Sequence, residues 1–245
     1  MSLEISWIIA KKDIKEFIRK RTVLYTVLML PLLFAFLFPA VIHFAGRKEG
    51  GIPADALTSL LPAFSWFFVI IPAIIPTPIA SYSIVGEKVE KSLEPLLAAP
   101  VTDGEVLLGK AIAAFMPAIL ATYMSASIFM TLMDAETYGT LHYNYFPDTE
   151  MALILLLLAP LAILLSIEMN VIVSSKVSDV RTASQLGGIM FMPFIGIYLA
   201  SEVGVLVLNT TNLLYIAGVM AVLVVICFRI STATFRREEI LTKWK

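Results

Sequence analysis

Six apolar runs, each about as long as the roughly twenty residues that a hydrocarbon layer of about 30 Å demands of a helix, divide the chain: 22–45, 60–85, 111–133, 151–173, 186–208 and 212–230. Polar loops separate them, so the pattern predicts six membrane-spanning helices. Ahead of the first run, Leu3, Trp7, Ala10, Ile14, Phe17 and Ile18 recur at helical spacing, with Lys11, Lys12, Lys15, Glu16, Arg19 and Lys20 on the remaining face. A basic face opposite a Trp-bearing apolar face suits a helix over 1–21 that lies in the headgroup layer. Topology anchoring and partner docking are equally open roles for it, with Trp7, Ile14, Phe17 and Ile18 as its membrane-facing residues. The first run is longer than the roughly 7 to 15 apolar residues of a cleaved signal and lacks its small-residue cleavage pattern, so it reads as a true span. Prolines in or at the ends of the runs, among them Pro31, Pro72, Pro76, Pro117, Pro160 and Pro193, predict spans that bend.

The loop between the second and third runs carries the most information. Glu87 and Lys91 are four apart, and Val89, Leu93, Leu96 and Leu97 form an apolar stripe, which predicts a short amphipathic helix ending near Ala99, before Pro100. Thr102 followed by Glu105 is a capping-box pattern that starts a second helix running past Lys110 into the third span. An uncovered apolar stripe on such a loop asks for a partner or a membrane surface.

Composition and charge narrow the function classes. Of the 245 residues, 59% are hydrophobic and 15% charged, far from the roughly 25% charged of a soluble domain. Six spans leave too little chain for a soluble catalytic domain of about 100 residues, so one transmembrane domain is expected over 1–245, closed by a polar tail over 231–245. Of the 18 Lys and Arg residues, sixteen fall on the face shared by the two termini and only Arg47 and Lys48 on the other. The positive-inside rule then puts both termini in the cytoplasm of a multi-pass cytoplasmic-membrane protein. The net charge of -1 gives no signal for nucleic acid.

The run Glu87-Lys88-Val89-Glu90-Lys91-Ser92-Leu93-Glu94, then Leu96-Leu97, Pro100-Val101 and Leu108-Gly109-Lys110, resembles the E-x-x-x-x-S/T-L-E-x-L-L-x-x-P-V…G-K signature of type-2 ATP-binding-cassette exporter permeases. Ala10 to Glu16, Leu30-Pro31, Ser178 to Ala183 and Phe235 to Leu241 resemble the same subunits, so the likeness runs over nearly the whole chain. It implies an all-α permease whose short loop helix is a coupling helix. Glu87, Glu90, Lys91, Leu93, Glu94, Leu96, Leu97 and Pro100 would then meet a separate cytoplasmic ATPase, present in two copies and binding ATP and magnesium itself. A second permease copy, in a homodimer or with a related subunit, completes the expected exporter, which works by alternating access. The resemblance also implies a short re-entrant helical segment after span five, for which Glu202 to Asn209 is placed.

The remaining chemistry is sparse. Glu168, beside Ser166 and Asn170, and Glu202 are acids within apolar runs, candidates for a translocation pathway. The bland readings are pairing of Glu168 with Lys176 or Arg181, and solvation of Glu202 at the outer surface. His43 and His142 have no H-E-x-x-H pairing, G-x-S-x-G is absent, and no G-x-x-x-x-G-K-[ST] loop occurs, so neither a metal, a nucleophile nor a nucleotide is expected on this chain. The alternative class is a non-transporting assembly or signalling subunit that docks a cytoplasmic protein through the same loop.

Overall fold

The computed structural model describes residues 3–48, 52–87, 101–177 and 179–234, the side chains of 22, 48, 84 and 190 apart. Within them every regular element is helical. Six helical runs are long and apolar enough to cross a membrane: Val23–Arg47, Ala54–Ser81, Asp103–Leu141, Thr149–Lys176, Val180–Glu202 and Thr210–Thr234.

Helix α1 (Leu3–Arg19) opens with Glu4 and closes with Arg19, charges that suit the helix dipole at each end. It meets α2 (Arg21–Lys48) at Lys20, whose N–H donates to the Glu16 and Phe17 carbonyls at 3.2 and 3.0 Å. The second span is broken where its prolines require it. Helix α3 (Ala54–Ile74) stops at Ile75, α4 (Pro76–Ser81) restarts with Pro76 in its first turn, and a π turn over Tyr82–Gly86 leads out. A proline costs least at a helix start, where its missing N–H would have had no intrahelical partner. The fourth span repeats the device: α6 (Thr149–Leu153), a π turn over Ile154–Leu158, and α7 (Ala159–Lys176) with Pro160 in its first turn.

Helix α5 (Asp103–Leu141) is 39 residues long, which at 1.5 Å per residue is about 58 Å and so reaches well beyond a roughly 30 Å hydrocarbon layer. Both halves of its capping box form: Glu105 N–H donates to Thr102 Oγ1 at 3.3 Å, and Thr102 N–H to Glu105 Oε2 at 2.8 Å. Helices α8 (Val180–Gly188) and α9 (Met192–Glu202), joined by a 3-10 turn, make the fifth span, and α10 (Thr210–Thr234) the sixth.

The fifth span differs from the 186–208 the hydropathy predicts. It begins earlier because Asp179 caps α8, accepting from Thr182 N–H at 2.9 Å. It ends earlier because Gly204, at φ +75°, closes α9 in a Schellman motif, with Val205 N–H bonded to Ala200 O and Gly204 N–H to Ser201 O. The re-entrant helix expected over Glu202 to Asn209 does not form: 203–209 is turns and extended chain.

Helix α7 is central, packed on α3, α4, α5, α8 and α10, while α5 carries α1 and α2 along its length. One core gathers around Trp66, Phe68, Phe129 and Met151, and a second around Phe17, Val27, Ile79, Ala114 and Ile163. Trp66 also ties span two to span five, its indole N–H donating to Phe194 O at 3.0 Å. Spans one and six leave Met29, Phe36, Phe44, Tyr215, Val219 and Val222 open, an apolar surface suited to lipid or a neighbouring chain.

Candidate functional site: a buried ion cluster at the root of the 88–100 segment

Two positions bring α1 and α5 close enough for charges to meet. Gly109 has no side chain, and a Cβ there would lie 2.8 Å from Ser6 O and 2.8 Å from Ile9 Cβ. Ser6, itself buried, donates from Oγ to Glu105 O at 3.1 Å. One residue after Gly109, Lys110 points into the crevice this contact makes and is only 3% exposed.

The Lys110 ammonium donates to Glu87 Oε2 at 2.6 Å, Ser83 O at 2.7 Å, Ser83 Oγ at 3.1 Å and Asp13 Oδ2 at 3.4 Å. Ser83 Oγ donates to Asp13 Oδ2 at 2.8 Å, and Lys12 Nζ to Glu87 Oε1 at 2.6 Å. Asp13 and Glu87 thus balance Lys12 and Lys110, and only Lys12 is substantially open to solvent. Burial pushes the Glu87 carboxyl up, but the Lys110 ammonium, and after it Lys12, hold it below the usual carboxylate range. Burial likewise pulls Lys12 down, and its bond to Glu87 more than reverses that, leaving it raised. Glu16 stands nearby with a carboxylate oxygen within 4.8 Å of those of Asp13 and Glu87. It faces Lys20 at 2.7 Å, so each of the three acids has an ammonium against it.

The arrangement places paired charges, with the Ser83 hydroxyl between them, among packed helices. Three stretches of backbone meet in it: α1, the π turn closing the second span, and the start of α5. Glu87 is the last described residue before the 88–100 segment, and Thr102, just beyond that segment, caps α5 through Glu105, whose carbonyl holds Ser6. Both ends of the segment are therefore fastened to α1.

Of the residues singled out in the sequence, Glu87 is buried at this root. Glu90, Lys91, Leu93, Glu94, Leu96, Leu97 and Pro100 lie outside the described residues, as does the tail over 235–245. Around α1 the apolar stripe divides. Phe17 and Ala10 pack inward with Ser6, Ile9 and Asp13, while Leu3, Trp7 and Ile18 are open and Ile14 is half-buried.

Asn170 is the hub of a second polar group. Its Oδ1 accepts from Ser81 Oγ at 3.1 Å, and its Nδ2 donates to Thr77 Oγ1 at 3.2 Å and Ser166 O at 2.8 Å. Gly187 of α8 sits against it so closely that a Cβ would fall 1.9 Å from Oδ1. Glu168, on the same helix, accepts from Ser231 Oγ of α10. That hydroxyl, rather than Lys176 or Arg181, is the partner the fold gives it. Glu202 is exposed in the last turn of α9 and is far from this group in character.

Asp13, Ser83, Gly187 and Ser231 escape sequence reasoning because their partners sit on other helices, 70 and 97 positions away for Asp13 and 63 for Ser231, or are single polar groups in apolar helices. One signal was readable: Asp13 falls on the face of Ser6, Ala10 and Phe17, three and four residues from its neighbours there, and an acid on a buried face requires a cation.

The sequence model of the ABC-2 family transporter proteins matches residues 7–213, which takes in α1, the ion cluster, the 88–100 segment and five of the six spans. No curated protein matches the chain. On the extent of that match, with six membrane-crossing helices arranged around it, the chain belongs to the ABC-2 family transporter proteins as a membrane-spanning permease component.

Proposed function

We propose that this permease is the membrane half of an exporter powered by a separate ATP-binding-cassette ATPase, which docks on the 88–100 segment and drives alternating access. The observation that carries this reading is the fastening of both ends of that segment to α1, through Glu87–Lys12 and Glu105–Ser6. Pulling the cluster apart would leave Glu87 and Lys110 charged and unpaired away from water, so a push on the segment is more easily relieved by moving α1, α5 and the attached α2 as one body. Two ATPase copies bind ATP and magnesium, and two permease copies, with twelve spans between them, enclose the route. Both termini lie in the cytoplasm, as the basic residues favour. Glu202, exposed at the end of α9, is available to the route, while Glu168 and Asn170 act through the helices they join.

A photo-crosslinker at Leu97, used in native membranes, tests this reading. The expected capture, identified by mass spectrometry, is an ATPase with a G-x-x-x-x-G-K-[ST] loop. Repeated capture of a protein without a nucleotide site, or of lipid alone, overturns it and favours a docking subunit.

A further inference from the structure

Around α1 three faces follow one another. The inward face is Ser6, Ala10, Asp13 and Phe17; the apolar face is Leu3, Trp7 and Ile18, open, with half-buried Ile14; and beyond it stand Lys11, Lys15 and Arg19. These last three are four residues apart in succession, a row about 12 Å long. Among the described residues they enter no ion pair, whereas Lys12 and Lys20 have Glu87 and Glu16. Trp7, Lys11, Lys15 and Arg19 line one shallow depression with Ile8, Lys12 and Glu16, whose carboxylate is held by Lys20 at 2.7 Å.

Immediately beside this row, a groove of about 380 Å³ opens between α1, α2 and α5, walled almost wholly by carbon: Ile14, Ile18, Val27, Met116, Leu120 and Met124. Its depth is set by α5. Leu120 is ten residues from Lys110, about 15 Å along the helix, which is half of a roughly 30 Å hydrocarbon layer. A soluble protein surface does not reach that far into a bilayer, and a headgroup alone would leave the groove unfilled. A ligand with a negative head and a hydrocarbon tail fits both parts.

We propose that an anionic diacyl phospholipid is seated here, its phosphate on Lys11, Lys15 and Arg19 and one acyl chain in the groove walled by Ile14, Val27, Leu120 and Met124. The seat is continuous with the ion cluster through α1, because Lys12, the neighbour of Lys11, holds Glu87. An occupied seat fixes α1 in the headgroup layer and with it the root of the 88–100 segment. The inference rests on the six membrane-crossing helices and stands whether or not an ATPase is the partner.

Native mass spectrometry of the full chain, purified in mild detergent and offered phosphatidylglycerol or phosphatidylcholine, reads the seat directly. The wild type is expected to retain phosphatidylglycerol with at least about tenfold preference. The triple variant Lys11→Gln, Lys15→Gln, Arg19→Gln is expected to lose that preference. Leu120→Trp, at a position 61% exposed and therefore tolerant of bulk, is expected to reduce retention of the lipid while the protein stays monodisperse. Equal retention of both lipids by the wild type overturns the proposal. So does full retention by Leu120→Trp, which would mean that charge alone gathers lipid with no seated chain. Release of a co-purified protein by the triple variant, with bound lipid unchanged, assigns the basic row to a protein partner and overturns it too.

Discussion

Removing one partner from a buried ion pair costs more than removing both, because the survivor stays charged away from water. Lys110 and Glu87, with side chains 2% and 5% exposed, should obey this rule. Lys110→Met leaves Asp13 and Glu87 facing each other with only half-open Lys12 between them, and should cost about 3 kcal/mol. Adding Glu87→Leu to it should recover part of that loss, a comparison read by denaturation in detergent. The same variants carry a pH signature. Glu87 is held below its ordinary value of 4.5, so its contribution is fully present above that pH and is lost as pH falls through the lower folded value. Lys12 is raised above 10.5, so its share holds below that pH and is lost only as pH rises through the folded value. The acid limb of stability should therefore flatten in Glu87→Gln. At this scale the sequence was legible in part: Glu87 stood out through its motif, and Lys110 closed it. Asp13 was hidden among six cations of the N-terminal stretch, and its partners Ser83 and Lys110 lie 70 and 97 positions away.

Helix boundaries written by local chemistry were readable, and those written by tertiary fit were not. Thr102 and Glu105 announced the start of α5, and prolines announced the breaks at Ile75 and before α7, because a cap and a missing N–H act within one turn. The start of the fifth span was placed too late, since apolar periodicity weighs side chains and overlooks the Asp179 cap, and the chain after Glu202 was read as a further helical segment where the left-handed Gly204 ends the helix. The contact of Gly187 with Asn170 had no local signal at all. It permits a test: Gly187→Ala must push α8 away or turn Asn170 from Ser81 and Thr77, at a cost of about 1–3 kcal/mol. Combining it with Asn170→Ala should cost less than the sum of the two single changes. Strict additivity in denaturation measurements would show that the contact does not constrain α8.

At the scale of the whole molecule, hydropathy sufficed for six crossings because the bilayer imposes one length on every span. What it could not supply is how they move together. The ends of spans one and three remote from α1 are joined by His43 and Glu136 at 2.8 Å, and their near ends by α1 and the ion cluster, so α1, α2 and α5 form one frame. In the proposed function, Glu87 carries motion from the 88–100 segment into this frame and so to the fifth span. Spin labels at Phe44→Cys and Leu199→Cys, both exposed sites, on a Cys227→Ser background report the separation of spans one and five in the reconstituted permease–ATPase complex. Trapping the ATPase in its closed, nucleotide-bound state should change that separation in the otherwise wild-type complex and leave it unchanged when Glu87→Gln is added. An equal change in both would contradict the account, because the motion would then reach the spans without passing through Glu87.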